Sequence, residues 1–385
     1  MRVLFTSTSG RGHIHPMLPL AHAFLGRGDE LLWATGEEAC GRLEHEGIKT
    51  AATGLDDGVA MQTFGERYPE VADVPPPEKS DFMFPRVFGV VRAEKMLDDL
   101  LPVARDFGPD LVVCEQAEFA GPIVAALVGA PNITISFGST LPAPRVAATG
   151  DAVAHLWEAH GHEPRPYGGT YDNVFLDIYP ASMQAADRPH IPSIQPLRPA
   201  AAVLGDEEPL PVWVTDDSGH PLVYVTLGTV FSNDAVLSAV LDGLRDLPVR
   251  VVVTVGPRGE PSALGEQPDN VHVARYIPQT QLLEHCSLIV SHAGSGTFLA
   301  GLAAKLPQVC VPQAADQFFN AGACAQAGAG IALPPGSVTA DAVKDAVETL
   351  LADASYREAA TRISTEIAAM PSPAEIADKL AATYG

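Results

Sequence analysis

Residues 291–320 hold the densest set of groups able to do chemistry in this chain. The apolar run Leu288-Ile289-Val290 leads into His292 and a turn of small residues, Gly294-Ser295-Gly296-Thr297, and a helix-like stretch follows. A second apolar run, Gln308 to Val311, ends in Pro312-Gln313 and then Asp316-Gln317. Strand, glycine turn and helix aim backbone N–H groups and a helix N-terminus at one place, which suits a phosphate. Gln313, Asp316 and Gln317 offer acceptors and donors for hydroxyls. Phosphate plus hydroxyls points to a nucleotide sugar. A glycine turn alone is more often an ordinary strand-to-helix connection, so the constellation carries the reading.

A second group lies near the N-terminus. The strand-like run Val3–Thr8 ends in Ser9-Gly10-Arg11-Gly12-His13, and a helix begins directly after. His13 is thereby placed at the carboxyl edge of a sheet, where open α/β folds bind ligands. The positive end of a helix disfavours imidazolium, so His13 is expected to be neutral and available as a base near pH 7. Glu115 ends another expected strand, Asp110–Glu115, at the same edge. A carboxylate there fixes the imidazole tautomer and stabilises the imidazolium formed during reaction.

Other chemistries lack their residues. Gly10-Arg11-Gly12 begins like a dinucleotide fingerprint but has His15 at the sixth position, and the turn at Gly294–Gly296 fails at Leu299. There is no Walker A sequence, no D-x-D carboxylate pair and no H-E-x-x-H. His155, His160, His162 and Glu163 imitate a metal cluster but fall in an irregular polar segment. No metal site and no bound cofactor are expected.

Two halves of alternating strands and helices must position these groups, the pattern of doubly wound parallel sheets. In the first half, Val3–Thr8, Leu31–Thr35, Asp110–Glu115 and Ile133–Phe137 are strand-like, with helices over Ile14–Leu25 and near Phe119–Leu127. The second half has Leu222–Leu227, Val249–Val255, Val271–Ala274, Leu288–His292 and Val309–Pro312, with a helix at Ala340–Ala352. Between them, Ile194–Gly219 is rich in Pro, Ala and acidic residues and reads as an interdomain linker. Asp56–Pro85 and Thr140–Tyr179 read as long irregular loops, which within a compact α/β half are usually functional. Met61, Phe64, Phe82, Met83, Phe84 and Phe88 lie in or beside the first. About half of such residues are expected to pack into the core, and the others to wall an apolar acceptor pocket.

The chain has 385 residues, enough for two domains, and 46% hydrophobic residues, enough for two cores. A net charge of −23 argues against nucleic acid and anionic membranes as partners. The longest apolar runs are too short to cross a bilayer, and no signal peptide is evident at the N-terminus. Of five scattered cysteines without a C-x-x-C, most read as small core residues, which fits a reducing cytoplasm.

The chain resembles the inverting nucleotide-sugar glycosyltransferases of the GT-B fold, particularly the actinomycete enzymes that glycosylate antibiotics. The resemblance spans nearly the whole length. GHIHPMLPLAHAF is similar to the family's opening motif, whose first His is the catalytic base, a role this places on His13. DLVVCEQAEFAG resembles the segment carrying the carboxylate partner, placed on Glu115, where plant relatives generally have Asp. VYVTLGT is similar to the stretch whose final residue, here Thr229, approaches the diphosphate. YIPQTQLLEH resembles the nucleobase segment, with Tyr276 in the stacking place, Ile277 offering backbone hydrogen bonds and Gln279 beside them. SHAGSGT resembles the diphosphate turn, PQAADQFFNA the sugar-hydroxyl segment, and MPSPAEIADKL the tail helix that returns to the first domain. Ala293 replaces a common Gly, a change expected to be harmless, and Ala300 stands where the plant-type motif has a ribose-holding Glu.

The resemblance implies an α/β protein of two Rossmann-like domains with a cleft between them. Residues 1–200 would bind the acceptor and 220–368 the nucleotide sugar, joined by a linker at 201–219 and followed by a tail helix at 369–385. It implies transfer of a sugar, by single displacement and without metal, to a hydroxyl of an apolar small-molecule aglycone. His292 and the N–H groups of residues 294–297 would stabilise the diphosphate. The absent Glu at Ala300 favours a thymidine diphosphate deoxysugar, since a buried ribose 2′-hydroxyl needs a partner. A homodimer is allowed for. An epimerase of the same fold and a catalytically inactive binding protein are the alternatives; the first would need carboxylates at the anomeric centre, the second should have lost His13.

Overall fold

The structure is a computed structural model that describes residues 1–75, 78–185, 187–200, 209–215, 219–228, 234–256 and 259–385. The chain divides into two units. One comprises Met1–Tyr179, Ala185–Gly205 and Met370–Gly385; the other comprises Pro180–Gln184 and Asp206–Ala369.

The first unit is built on seven strands: β1 (Arg2–Thr6), β2 (Glu30–Thr35), β3 (Lys49–Ala52), β4 (Leu111–Glu115), β5 (Asn132–Ile135), β6 (Phe175–Asp177) and β7 (Ile194–Pro196). They pair in parallel in the order β3-β2-β1-β4-β5-β6-β7. Val3, Leu4 and Phe5 of β1 and Leu111, Val112 and Val113 of β4 are wholly buried. Both faces of these central strands are covered, which is why they read as unbroken apolar runs. Strand order reverses between β1 and β4, with Thr6 opposite Cys114. At such a switch point the loops leaving adjacent strands diverge to opposite faces of the sheet and leave a crevice.

The second unit repeats the plan with six strands: β8 (Leu222–Thr226), β9 (Arg250–Thr254), β10 (Val271–Ala274), β11 (Leu288–Ser291), β12 (Gln308–Cys310) and β13 (Gly330–Ala332). Their order is β10-β9-β8-β11-β12-β13, again parallel. The reversal falls between β8 and β11, where Thr226 lies opposite Ser291. Val343, Val347 and Leu350 of the helix Ala340–Ala352 join the core on one face of this sheet.

The structure corrects several expectations. The segment Asp56–Pro85, expected to be an irregular loop, carries the helices Asp57–Arg67 and Lys79–Phe84 and runs into a π-helical stretch, Pro85–Arg92, and the helix Ala93–Phe107. Ala60 and Phe64, four residues apart, bury one face of the first of these against Val87 and Val91. Likewise Ala143–Ala159 is a helix within the expected loop Thr140–Tyr179. Ile194–Pro196, read as linker, is the edge strand β7, a position that tolerates proline. Much of the remaining linker lies outside the described residues. Cys114, Cys286, Cys310 and Cys324 are buried free thiols.

The helix Pro373–Tyr384 belongs to the first unit. Ser372 and Glu375 close a capping box at its start, and Ile376, Ala377 and Leu380 are buried. It packs against the helix Leu18–Gly26. No helix among the described residues is long and apolar enough to cross a membrane.

Candidate active site

At the switch point of the first unit, His13 follows β1 and Glu115 ends β4. His13 Nδ1 lies 3.0 Å from Glu115 Oε1. The Glu115 side chain is completely buried, while the His13 side chain keeps 22% exposure. The other oxygen, Oε2, accepts from the backbone N–H of Ala117 at 2.6 Å, which fixes the carboxylate plane. An acceptor on Nδ1 puts the ring proton there and leaves Nε2 as the basic nitrogen. The ring lies among aromatic side chains, with centroids 4.7 Å from Phe137 and 5.8 Å from Phe88.

The expectation that His13 resists protonation is reversed. Burial is the largest influence and lowers its proton affinity, but Glu115, by charge and hydrogen bond, and Asp57, by charge, raise it above the ordinary value of 6.5 against opposition from Arg92. The helix directly at His13, Arg11–Ile14, is a single turn, too short to build a sizeable dipole. Close behind, Glu118 accepts from the N–H groups of Ala120 and Gly121 and from Thr6 Oγ1. Burial still pushes its carboxyl up to about 7.

The aromatic residues expected to line an acceptor pocket separate into two sets. Phe64 is 2% exposed and belongs to a small core with Ala60, Val87 and Val91. Phe84 is also buried, its ring tilted against that of Phe88 with centroids 4.5 Å apart. Phe82 and Met83 are partly buried against that small core, and Met61 is 44% exposed. Phe88 is the one brought to His13. Phe137 was not singled out from the sequence, although it follows β5 at the sheet edge that carries His13 and Glu115.

In the second unit, the helix Ser295–Ala303 starts just beyond β11. Its N-cap, Gly294, supplies no capping side chain, so no side chain competes for the first N–H groups. A Cβ at Gly296 would meet nothing, leaving the mouth of the turn open. His292 is wedged between glycines: a Cβ on Gly228 would come within 2.7 Å of its ring, and one on Gly294 within 2.4 Å. Burial lowers the proton affinity of His292, against Asp316 and the Thr226 backbone. Burial therefore favours its neutral form near neutral pH. Ala293 adopts φ 61 and is fully buried. The Gly-to-Ala difference expected to be harmless thus places a methyl-bearing residue in left-handed backbone, which costs about 1–2 kcal/mol.

Ser295 Oγ donates to Asp316 Oδ2 at 2.5 Å, and Asn320 Nδ2 donates to Ala293 O, Ser295 Oγ and the same Asp316 oxygen. Asn320 was missed in the sequence; its signal is the four-residue spacing from Asp316 on one helix. Gln317 is buried, and its Oε1 accepts from the N–H groups of Gln313 and Ala314, holding the loop's shape. Gln313 Nε2 donates to Val311 O and Pro312 O. Gln279 Nε2 reaches Thr297 Oγ1 at 3.2 Å and joins the expected nucleobase segment to the glycine turn. Tyr276 is 60% exposed, whereas the side chain of Ile277 is core. Thr229 lies outside the described residues.

Two models of the erythromycin biosynthesis protein CIII-like family match, the N-terminal domain over residues 48–190 and the C-terminal domain over residues 238–383. The chain belongs to this family. It is an EryCIII-like glycosyltransferase with the GT-B fold. L-demethylnoviosyl transferase of Streptomyces niveus is 30% identical over 99% of this chain and 98% of that protein. Among solved structures, the glycosyltransferase SnogD from Streptomyces nogalater is 31% identical with a TM-score of 0.78, covering 100% of this chain and 99% of that one. Spinosyn rhamnosyltransferase SpnG complexed with thymidine diphosphate is 26% identical with a TM-score of 0.82, covering 99% and 100%. Its complex with spinosyn aglycone gives a TM-score of 0.83 at the same identity and coverage. The EryCIII-like relatives are glycosyltransferases of natural-product pathways.

Proposed function

We propose that this EryCIII-like protein transfers a deoxysugar from thymidine diphosphate to a hydroxyl of an apolar natural-product aglycone, with inversion and without a metal ion. The observation that carries the reading is the His13–Glu115 pair, a half-buried imidazole 3.0 Å from a fully buried carboxylate at the switch point of the first unit. Nε2 takes the acceptor's hydroxyl proton as that oxygen bonds to the anomeric carbon and the nucleoside diphosphate leaves with the bonding electron pair. A single displacement from the opposite face inverts the centre. Glu115 holds the Nδ1–H tautomer and stabilises the imidazolium. Phe88 and Phe137 beside the ring give the acceptor an apolar bed. Phosphate charge is met in the second unit by the N–H groups of residues 295–297 and by neutral His292.

Thymidine is supported on two grounds. SpnG has been solved in complex with thymidine diphosphate, and Ala300 packs against an apolar cluster where the plant-type motif places a ribose-binding Glu. The deciding experiment pairs chemistry with binding. His13→Ala should lower kcat by about 10²–10⁴-fold while leaving thymidine diphosphate affinity unchanged, and uridine diphosphate should bind more weakly than thymidine diphosphate. A variant keeping more than about a tenth of kcat would remove His13 from the base role. Tighter uridine diphosphate binding would overturn the donor assignment.

A further inference from the structure

We propose that Asp57, clamped by the buried Arg92, is a positioning residue for His13, with its second carboxylate oxygen on the Gly10 side of the ring, away from Glu115. This inference rests on His13 being the base and adds a residue that the opening motif does not contain.

The geometry converges on Gly10. A Cβ there would stand 2.9 Å from Asp57 Oδ2 and 3.1 Å from His13 Cδ2, so carboxylate and ring close on one glycine from two directions. Cδ2 is the ring carbon bonded to Nε2, the nitrogen Glu115 leaves free for the acceptor. Gly10 has φ −65 and ψ 137, ordinary extended backbone that any residue adopts. Glycine is needed here for space and not for conformation.

Asp57 is held from several sides. Its Oδ1 pairs with Arg92 Nη2 at 2.6 Å, and Arg92 Nη1 donates to Leu55 O. Arg92 is 8% exposed, on the π-helical stretch that also carries Phe88. The backbone N–H of Asp57 donates to Ser9 Oγ and to Glu38 Oε1. With Oδ1 occupied by the guanidinium, Oδ2 is the atom turned towards Gly10 and His13. The charged groups that act on the imidazole are therefore Glu115 from β4, Asp57 from the helix Asp57–Arg67 and Arg92 from the π-helical stretch, with Glu118 behind Glu115. Two carboxylates and one cation give the ring a net negative surround. The Asp57 side chain is 43% exposed, so salt screens its share more than that of Glu115.

The arrangement has a kinetic role distinct from that of Glu115. Glu115 fixes which nitrogen carries the proton. Asp57 adds a second negative charge that stabilises the imidazolium formed when the acceptor proton arrives, and the Arg92 pairing fixes where that charge sits.

The test is a histidine NMR titration of the full-length enzyme, wild-type and Asp57→Asn, with His13 assigned from the spectrum of His13→Gln. Loss of the Asp57 charge should lower the His13 titration midpoint by about half a pH unit at low salt, with a smaller difference in high salt. The acid limb of kcat/KM should move by the same amount. An unmoved His13 midpoint in a folded Asp57→Asn protein would overturn the proposal. A shifted midpoint with an unshifted rate limb would instead count against His13 as the base. Gly10→Ala supplies a second arm by pushing a methyl between carboxylate and ring: kcat should fall at least tenfold with thymidine diphosphate affinity intact. A fully active, normally titrating Gly10→Ala enzyme would also overturn it.

Discussion

Asp316 receives the Ser295 hydroxyl and the Asn320 amide on the same carboxylate oxygen, Oδ2. The first turn of the helix Ser295–Ala303 is thereby tied to the loop after β12 by side chains alone. Asn320 is fully buried, so Asn320→Ala leaves the Ala293 carbonyl and part of Asp316 unsatisfied. A loss of about 1–3 kcal/mol in urea-induced unfolding is expected, together with weaker thymidine diphosphate binding by calorimetry. Stability and binding both at wild-type values would show that the tie has no consequence.

The pH behaviour follows from the raised proton affinity of His13. The base is active only when deprotonated, so kcat/KM should rise with pH along a limb centred above 6.5. Glu115→Gln removes the larger of the two raising charges and leaves burial and Arg92 to dominate, so the limb should move to lower pH while kcat falls. Stability runs the other way. A group bound more tightly by its proton when folded adds stability that is fully present below the unfolded value of 6.5 and lost as pH rises through the folded value. Relative to His13→Gln, the wild-type enzyme should lose stability across the window in which it gains activity. A limb at or below 6.5 in the wild-type enzyme would contradict the assigned direction.

Phe64 and Phe137 should respond differently to truncation. Phe64→Ala empties a small core and is expected to cost about 3–5 kcal/mol of stability, with the acceptor KM of the surviving folded enzyme little changed. Phe137→Ala, half-buried beside the base, should raise acceptor KM severalfold with a smaller loss in melting temperature. The opposite split would exchange their roles.

The backbone at Ala293 and Gly294 supports a paired test. Ala293→Gly relieves left-handed strain but frees the unfolded chain, for a net gain of roughly 0.5 kcal/mol. Gly294→Ala drives a Cβ into the His292 ring and should weaken thymidine diphosphate at least tenfold. Thermal unfolding and ligand titration read the two effects, and a Gly294→Ala enzyme with full affinity would remove the wedged His292 from the donor site.

The sheet edges were legible in the sequence because central parallel strands are buried on both faces and write themselves as apolar runs. His13 and Glu115 were found from strand ends for the same reason. The strands Lys49–Ala52, Phe175–Asp177, Ile194–Pro196 and Gly330–Ala332 were not, since three or four residues at or near a sheet edge leave too short a pattern. Residues 56–85 read as loop because prolines and polar residues interrupt the helical period, although Ala60 and Phe64 hold a four-residue spacing. Asp57 was invisible because its partners Ser9 and Arg92 are remote in sequence, whereas Asn320 and Phe137 carried weak signals, a four-residue spacing from Asp316 and a place just after β5. A carboxylate's distance from an imidazole is a property of the fold.

The placement of Pro373–Tyr384 bears on how the protein is made. This helix completes the first unit, yet it leaves the ribosome only after the whole of the second unit has been translated. Arg27 and Asp378, paired in the finished structure, are separated by 351 residues. During synthesis the helix Leu18–Gly26, against which Pro373–Tyr384 packs, therefore waits without that cover while the second unit folds. The first unit is completed by a helix translated after the second, so translation that stops short of residue 373 leaves that unit unfinished, not merely the chain shortened.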